Sequence, residues 1–207
     1  MKIEKIIDYQ MDQNCYFVYE GTKGFLIDPG NCPEKIIKKI RECQAEPAAI
    51  LLTHAHYDHI CGTDKIIREW SVPVYGSAEC RNNVKSTVLN VSSMFGEEYV
   101  LPCPVLPFAD GETKVISEIP VTCLKTPGHT DCSVCYRIGD ILFSGDTLFL
   151  RSVGRWDFPN GNFEALEGSV KNCLYQLPDE VKVFPGHGND TSIGYEKKFN
   201  LVIRNGD

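Results

Sequence analysis

The sequence predicts an α/β fold, in which β-sheets are covered by helices, as a single domain over residues 1–207. Blocks of strand-like segments followed by helical segments occur twice along the chain, which is typical of layered α/β and α+β proteins. The length allows a sizeable core in one domain, or in two closely merged halves. Hydrophobic residues at 43 % and charged residues at 24 % are ordinary for a globular protein.

The first half of the chain contains strand-like segments on either side of a helical one. The strand-like segments, rich in β-branched and aromatic residues, are 2–9, 15–20, 25–30, 48–54 and 72–77. Pro33 suits the first turn of a helix, and apolar residues recur at helical spacing after it, at Ile36, Ile37, Ile40 and Cys43. Residues 59–70 indicate a second helix, which begins at His59.

The second half repeats this succession after an irregular segment. Residues 83–112 contain three closely spaced prolines and predict a long connection that could cover a site. The strand-like segments that follow are 113–116, 121–129, 133–140, 141–146 and 181–188. Residues 163–177 indicate a helix, and residues 191–205 a short closing helix that includes Tyr195 and Lys197.

The charge balance argues against two classes of partner. Twenty-eight acidic and 21 basic residues give a net charge of −7. A surface of this sign does not by itself attract nucleic acid or an anionic membrane. No run of 18 apolar residues occurs, so no membrane-spanning helix is expected. The sequence therefore predicts a protein that binds neither nucleic acid nor membrane.

Ten cysteines are scattered along the chain and form no compact framework. The N-terminal segment also lacks the apolar core of a signal peptide. We therefore expect reduced thiols and a cytoplasmic protein. Cys132 and Cys135 form a C-x-x-C pair, but no second pair accompanies them, and residues three apart on a strand face opposite sides. We interpret them as small buried residues and not as a redox or zinc pair.

The histidines are distributed unusually. The segment "THAHYDH" holds His54, His56 and His59 together with Asp58, and the other two, His129 and His187, follow strand-like segments in "TPGHT" and "FPGHG". A single histidine is more often a packed or solvated residue than a ligand. Five near the ends of strands, with none elsewhere, indicate a metal site.

Local geometry supports this interpretation. His54 and His56 are two residues apart in an extended segment, so their side chains point the same way. Asp58 could serve only as the N-cap of the next helix, but beside three histidines its carboxylate is also a metal ligand. Imidazole with carboxylate suits zinc, iron or manganese. The H-E-x-x-H spacing of zinc proteases is absent.

These motifs, with "SGDTLF" around Asp146, resemble the metallo-β-lactamase superfamily, and the resemblance extends from "FLIDPG" to the last histidine motif and beyond. The segment "SGDTLFLRSVGRWDFPNG" is similar to the glyoxalase II-like branch, which contains hydroxyacylglutathione hydrolases and small bacterial relatives. The resemblance implies a four-layer αββα sandwich with two metal ions at one edge.

The resemblance also implies the ligands. His54, His56 and His129 would bind the first divalent ion, and Asp58, His59 and His187 the second. Asp146 would bridge the two ions, with a water or hydroxide between them as the nucleophile. The ions would lie about 3.5–4 Å apart, as in other two-metal hydrolytic sites. We expect zinc, with iron or manganese as alternatives, and we name Asp58 and Asp146 as the catalytic side chains.

The chemistry of such a site is attack of water on an ester-like carbonyl. The resemblance makes a thioester such as a hydroxyacylglutathione the expected small-molecule substrate, with Arg155 of "VGRWD" as the basic residue that contacts its thiol portion. An exposed arginine paired with Asp157 is the alternative interpretation of Arg155. The larger glyoxalase II enzymes carry a helical domain after their last histidine motif, whereas here only residues 188–207 follow His187, so the thiol portion stays open.

Several alternatives remain open from the sequence. Persulfide dioxygenases, which use one iron bound by two histidines and a carboxylate, also resemble this chain, including the "GRWDF" segment. A lactonase or another ester hydrolase of the same fold is a second alternative. Asp146 argues against most β-lactamases, which usually have another ligand there. A metal-binding module without catalysis is a third. For Phe149, Trp156 and Phe158 we favour core packing over a place at a pocket mouth, and the sequence leaves the oligomeric state undetermined.

Overall fold

The computed structural model describes residues 1–204, and its strands form two six-stranded sheets and one short hairpin. Along the chain, the strands of the first sheet are β1 (Lys2–Asp8), β2 (Gln13–Glu20), β3 (Lys23–Ile27), β4 (Glu46–Leu51), β5 (Val74–Gly76) and β6 (Val105–Pro107). Those of the second sheet are β7 (Thr113–Ile116), β8 (Ile119–Lys125), β9 (Val134–Ile138), β10 (Ile141–Gly145), β13 (Lys182–Pro185) and β14 (Thr191–Ser192). The hairpin consists of β11 (Leu148–Phe149) and β12 (Ser152–Val153).

Within residues 1–204 the helices are short. They are α1 (Pro33–Glu42), α2 (Tyr57–Ile60), α3 (Thr63–Trp70), α4 (Cys80–Asn83), α5 (Phe163–Asn172) and α6 (Ile193–Phe199). Single 3₁₀ turns occur at Ser92–Phe95 and Leu174–Gln176. None of these helices has the length and apolar character needed to cross a bilayer.

The two sheets have similar mixed topologies. The first has the order β1-β2-β3-β4-β5-β6, in which β1 to β3 are antiparallel and β3 to β6 are parallel. The second has the order β14-β13-β10-β9-β8-β7, with β10 and β13 as its one parallel pair. Helices connect the parallel strands, as crossover connections require.

Side chains along the central strands point alternately to the two faces of each sheet, and they form three separate hydrophobic cores. On β2, Phe17 faces α1 and α3, whereas Tyr16 and Val18 face the second sheet. The core between the sheets contains side chains from β2, β3 and β4 on one side and from β8, β9 and β10 on the other. A third core lies between the second sheet and the helices α5 and α6. Successive strand residues point to opposite faces, so two sheets covered on both faces make four layers, and the predicted αββα sandwich is confirmed.

Most predicted elements are present, with several differences. The short helix α4 was not predicted, and the helix predicted over residues 163–177 ends at Asn172 and continues only as a 3₁₀ turn. The helix predicted over residues 59–70 begins earlier, at Tyr57, and is interrupted at Cys61 and Gly62, where Gly62 packs against the backbone of Gly30. The irregular connection 83–112 contains a 3₁₀ turn and the edge strand β6. The hairpin β11–β12 and the short strand β14 have too few residues to give a sequence pattern. Residues 205–207 of the predicted domain and the end of its closing helix segment lie outside the described residues.

The cysteines form no disulfide: all ten are free. Cys132 belongs to the core beneath α1 and α3, whereas Cys135 belongs to the core beneath α5. Both side chains are fully buried, as predicted, and they face different layers. Cys132 lies in the turn before β9 and Cys135 lies on β9, so the C-x-x-C spacing places its two thiols in different cores.

Candidate metal centre

The predicted ligands meet at one edge of the sandwich, where strands of both sheets end. His54 and His56 follow β4, and Asp58 and His59 lie on the short helix α2 that comes next. The second sheet contributes the rest from the ends of three strands: His129 after β8, Asp146 after β10 and His187 after β13. The backbone at Asn14 donates a hydrogen bond of 2.7 Å to Gly186, which joins the two sheets beside the site.

Three histidines form the first group. The rings of His54, His56 and His129 have centroids 4.5 to 4.8 Å apart. His129 Nε2 lies 2.8 Å from His56 Nδ1, and one ring nitrogen of each histidine lies within 4.8 Å of the others. All three side chains are buried. Three converging imidazoles without intervening charge form a set of donors that suits a transition metal.

Asp58, His59 and His187 form the second group. His187 Nε2 lies 3.2 Å from Asp58 Oδ2 and 3.3 Å from His59 Nε2. Asp58 is not the N-cap of α2, because that position belongs to His56 and Asp58 lies inside the helix. The carboxylate is thus directed to the histidines and takes no part in capping.

Asp146 lies between the two groups. Its Oδ2 is 3.5 Å from His129 Nε2 of the first group and 3.5 Å from His187 Nε2 of the second, and its Oδ1 is 3.4 Å from His59 Nε2. The geometry therefore brings together all seven residues that the sequence singled out.

Asp28, which the sequence analysis did not single out, orients two of these histidines. Its Oδ2 accepts hydrogen bonds from Thr53 Oγ1 at 2.6 Å and from His59 Nδ1 at 2.9 Å. Since a carboxylate only accepts, the Thr53 hydroxyl proton points to Asp28, and Thr53 Oγ1 accepts from His54 Nδ1 at 3.0 Å. In the neutral form of each ring, Nδ1 then carries the proton and Nε2 is free to bind a metal. Asp28 follows β3 in "FLIDPG", a strand-end position that could have revealed it.

Backbone carbonyls orient two further histidines in the same way. His129 Nδ1 donates to the carbonyl oxygen of Arg155 at 2.7 Å, and His187 Nδ1 donates to that of Asp12 at 2.8 Å. A ligand histidine commonly donates its second ring N–H to such an outer partner, which determines the nitrogen that faces the metal.

The electrostatics differ between the two groups. Burial and the neighbouring histidines lower the pKa values of His54 and His56 well below the ordinary 6.5, so both are neutral, as metal binding requires. Burial also acts to lower the pKa of His59, but the nearby carboxylates of Asp146, Asp58 and Asp28 raise that pKa to about 10. The second group therefore favours positive charge at its centre.

Small residues allow the site to close. A Cβ atom at Gly186 would collide with Asp146 Oδ1 and lie 2.7 Å from the His59 ring. One at Gly154 would collide with the carbonyl oxygen of Asp146 and lie 3.0 Å from His129 Nδ1. Glycine is required at both positions because backbone passes directly against ligand residues.

A cavity of about 240 Å³ opens over the two groups. Its floor contains five of the seven predicted ligands, and its walls are Val91, Phe95, Phe149, Arg155 and Phe158. The core packing that we favoured for Phe149 and Phe158 is wrong, because both rings line this cavity. Trp156 is exposed and packs on Phe163, 4.8 Å between centroids. The loop and hairpin that carry these rings have no strand or helix pattern that would reveal their direction.

Arg155 occupies the cavity wall with its charge already paired. Its guanidinium donates two hydrogen bonds to Asp157, of 2.9 and 2.8 Å, and lies 4.4 Å from the centroid of the Phe158 ring. The interpretation of Arg155 as an exposed residue paired with Asp157 is confirmed, and Arg155 also lines the cavity. Its contact with a substrate stays a prediction.

The residues fit a metal ion. Within the part of the chain that the structure describes, His54 Nε2, His56 Nε2 and Asp146 Oδ1 are buried and have no hydrogen-bond partner. Buried polar atoms without partners are costly. A cation would satisfy His54 Nε2 and Asp146 Oδ1, which belong to the converging groups. These His and Asp clusters are therefore suited to a metal ion.

Comparison with known sequences identifies the family. The sequence profile of the Metallo-beta-lactamase superfamily matches residues 9–187. The "Probable metallo-hydrolase YqgX" of Bacillus subtilis is 37 % identical over 194 residues, covering 92 % of each chain. The "Hydroxyacylglutathione hydrolase GloC" of Haemophilus influenzae is 31 % identical over 210 residues, covering 98 % of each chain.

Solved structures with similar sequences have the same fold over nearly the whole chain. BLEG-1, described as a B3 metallo-beta-lactamase, has a TM-score of 0.92 at 34 % identity, over 97 % of this chain and 98 % of that one. TTHA1623 in a di-iron-bound form has a TM-score of 0.86 at 33 % identity, over 96 % of this chain and 98 % of that one. ETHE1 from Myxococcus xanthus has a TM-score of 0.83 at 29 % identity, over 97 % of this chain and 84 % of that one.

Proposed function

Because the chain belongs to the metallo-β-lactamase superfamily, we propose that it is a metal-dependent hydrolase and that its substrate is a thioester. The observation that carries this proposal is the convergence of five histidines and two carboxylates beneath one cavity, with five of these seven side chains at its floor. The 31 % identity to a protein named as a hydroxyacylglutathione hydrolase supports the choice of a thioester.

We propose two divalent ions. His54, His56 and His129 would hold one, Asp58, His59 and His187 the other, and Asp146 would contact both. Imidazole with carboxylate donors suits zinc, which we favour, and also iron or manganese. The relative with a di-iron centre supports iron as the first alternative.

When bound, such ions activate water near neutral pH and polarise the carbonyl group that it attacks. The protein's own contribution is orientation. Asp58 and Asp146 lie at the cavity floor and would direct the attacking water toward the substrate carbonyl. The Phe158 ring, 5.0 Å from that of His56, would exclude other water from this side.

A thioester also suits this cavity because its cleavage needs no acid to protonate the leaving group. Cleavage of an amide needs an acid to protonate the leaving amine. A thiol has a pKa of about 8.5, so a thiolate leaves without such help. Among residues 1–204, Arg155 is the one basic side chain on the walls, and we propose that it contacts the substrate. The partner is then a small molecule, and the ten free thiols suit the cytoplasm, where we propose that the protein acts.

The test combines metal analysis with catalysis. Protein purified under anaerobic conditions would be analysed for metal, and the same sample would be assayed with S-lactoylglutathione. We expect about two ions per chain and release of one thiol per substrate. Two bound ions without cleavage of any thioester would contradict the proposed substrate, and a metal-free, active protein would contradict the proposed site.

Two other reactions deserve a place in the same assay. The segment Gly154–Phe158, which resembles persulfide dioxygenases, contributes Arg155 and Phe158 to the cavity wall. That activity would give about one iron per chain and oxygen uptake with glutathione persulfide. The similarity to BLEG-1 makes a chromogenic cephalosporin the second comparison substrate. Faster turnover of either compound than of a thioester would replace our proposal.

A further inference from the structure

The walls of the cavity are apolar on several sides. Of its non-ligand residues, four are hydrophobic: Val91, Phe95, Phe149 and Phe158. The three aromatic rings come from separate segments, namely the 3₁₀ turn Ser92–Phe95, strand β11 and the loop after Gly154. Convergence of three unconnected segments on one cavity indicates a built binding surface and not an accident of local sequence.

These rings lie close to the ligand groups. The Phe158 centroid is 5.0 Å from that of His56 and 5.9 Å from that of His129. The Phe149 centroid is 6.1 Å from that of His187. The substituent next to a substrate carbonyl at the cavity floor would therefore contact the Phe149 and Phe158 rings.

Phe95 forms the outer part of this surface. Its side chain is 53 % exposed, and it packs on Tyr57 with 5.8 Å between ring centroids. An aromatic ring that lines a cavity and remains half exposed gains stabilisation when an apolar ligand covers it. The neighbouring Met94 is 65 % exposed but does not line the cavity.

The positive charge on the cavity walls is already paired with a carboxylate. Arg155, the single cation that lines the cavity within residues 1–204, pairs with Asp157 through two hydrogen bonds. Away from the floor, where the proposed metal ions would lie, a carboxylate would lose its hydration against the walls and meet no unpaired cation. The walls therefore disfavour an acidic group at the far end of the acyl chain.

The size of the cavity limits what it can hold. At about 240 Å³ it is smaller than the roughly 300–1,000 Å³ that is usual for drug-sized ligands. It suits a short chain or a single ring, whereas the tripeptide of glutathione would have to lie outside it.

We propose that this cavity binds the acyl group of the substrate, and that the preferred substrates are thioesters of short, uncharged, apolar acids. The inference rests on the proposed thioester function and makes it more specific. The acyl chain lies against Phe95, Phe149 and Phe158, and the thiol portion points to solvent. Phe95 is then a residue that determines specificity.

A series of substrates tests the proposal. Acetyl, butyryl and hexanoyl thioesters of N-acetylcysteamine share one neutral thiol and differ only in acyl length. We expect kcat/KM to rise about fourfold for each added methylene until the cavity is full. Adipoyl-N-acetylcysteamine has the length of the hexanoyl compound and a terminal carboxylate, and its kcat/KM should fall below that of the hexanoyl thioester.

A pair of variants tests the role of Phe95. In Phe95→Ala we expect the ratio of hexanoyl to acetyl kcat/KM to fall about tenfold, because the outer wall is lost. The matched control Met94→Ala removes a neighbouring exposed apolar side chain that does not line the cavity and should keep the wild-type ratio. Far-UV circular dichroism and metal content would establish that both variants are folded and loaded.

The outcomes separate the two proposals. If metal-loaded wild-type protein cleaves no thioester of the series or of glutathione, the proposed function fails. If it cleaves them with no dependence on chain length, or prefers the adipoyl compound, the acyl-site inference alone is overturned. It is also overturned if Phe95→Ala dissociates a dimer while the hexanoyl to acetyl ratio stays unchanged, because Phe95 would then belong to an interface.

Discussion

Four of the five histidines of the site have an outer partner that decides which ring nitrogen faces its centre. His59, His129 and His187 donate from Nδ1 to Asp28, to the Arg155 carbonyl and to the Asp12 carbonyl. His54 reaches Asp28 through the Thr53 hydroxyl. His56 differs, because its Nδ1 faces His129 Nε2. The donor set therefore depends on residues that do not themselves belong to the two groups.

Removal of the Asp146 carboxylate should abolish most turnover. Its two oxygens lie 3.4 to 3.5 Å from histidines of both groups, so no other side chain takes its place. For Asp146→Ala we expect kcat to fall by about a hundredfold or more, with fewer than two ions bound and the fold retained. Steady-state kinetics and metal analysis would measure this. Asp140→Ala, which removes an exposed carboxylate, is the control, and full activity of Asp146→Ala would disprove the two-metal arrangement.

Asp28→Asn should weaken metal binding without unfolding the protein. The amide keeps the volume of the carboxylate but has only one acceptor oxygen. It therefore loses either the two hydrogen bonds that Oδ2 accepts, from His59 Nδ1 and Thr53 Oγ1, or the one that Oδ1 accepts from the backbone N–H of Thr53. Loss of an outer partner typically costs about 10- to 100-fold in metal affinity. Competition with a chromogenic chelator would give the affinity. Unchanged affinity would show that Asp28 has no part in orienting these imidazoles.

At the scale of elements, the site depends on where strands end. The ligands of the second sheet follow β8, β10 and β13, and the backbone after β13 passes against Asp146 and His59 at Gly186. Strand ends can carry side chains in irregular directions because the ladder no longer constrains them. The hydrogen-bonded strands thus hold the site rigidly, and the residues after their ends provide the ligands.

Gly186→Ala should displace two ligands at once. The added methyl group would collide with Asp146 Oδ1 and press on the His59 ring, and the backbone of β13 cannot move away from the sheet. We expect fewer than two bound ions and a large loss of activity in a folded protein. The control is Gly168→Ala in α5, where the methyl group meets only Asn172 at 3.8 Å. That variant should be up to about 1 kcal/mol more stable, and two bound ions in Gly186→Ala would contradict the close approach.

At the scale of the whole molecule, the centre joins the two halves of the sandwich. The segment from His54 to His59 belongs to the first sheet and its connection, whereas His129, Asp146 and His187 belong to the second. A metal ion bound here would cross-link two sheets that otherwise meet through a hydrophobic core and a few hydrogen bonds. Binding would then be coupled to the stability of the entire fold.

Metal removal should therefore lower the melting temperature. Ligand at about a thousand times its Kd stabilises the native state by about 4 kcal/mol, which for a chain of this length is of the order of 10 °C in Tm. Differential scanning calorimetry with and without a chelator, followed by addition of zinc, would measure the difference. Asp146→Ala should show a smaller shift than wild type. An equal Tm for the apo and metal-loaded proteins would mean that the centre does not link the sheets.

Much of this protein could be predicted from its sequence alone. The periods of apolar residues indicated nearly all of the longer strands and helices, since both periods depend only on neighbours along the chain. The clustered histidines and the three motifs after them indicated seven residues that the fold brings together, and the resemblance that they carry predicted the four-layer sandwich. These features are local, so the order of residues is enough to reveal them.

Other features were decided only by the tertiary structure. Asp28 acts on His59 across 31 residues, and the rings of Phe95, Phe149 and Phe158 form one wall although they come from separate segments. The nitrogen that a histidine such as His129 turns inward depends equally on the packed fold. No local period encodes such contacts, because they arise between side chains that are distant in sequence and approach only when the two sheets close on each other.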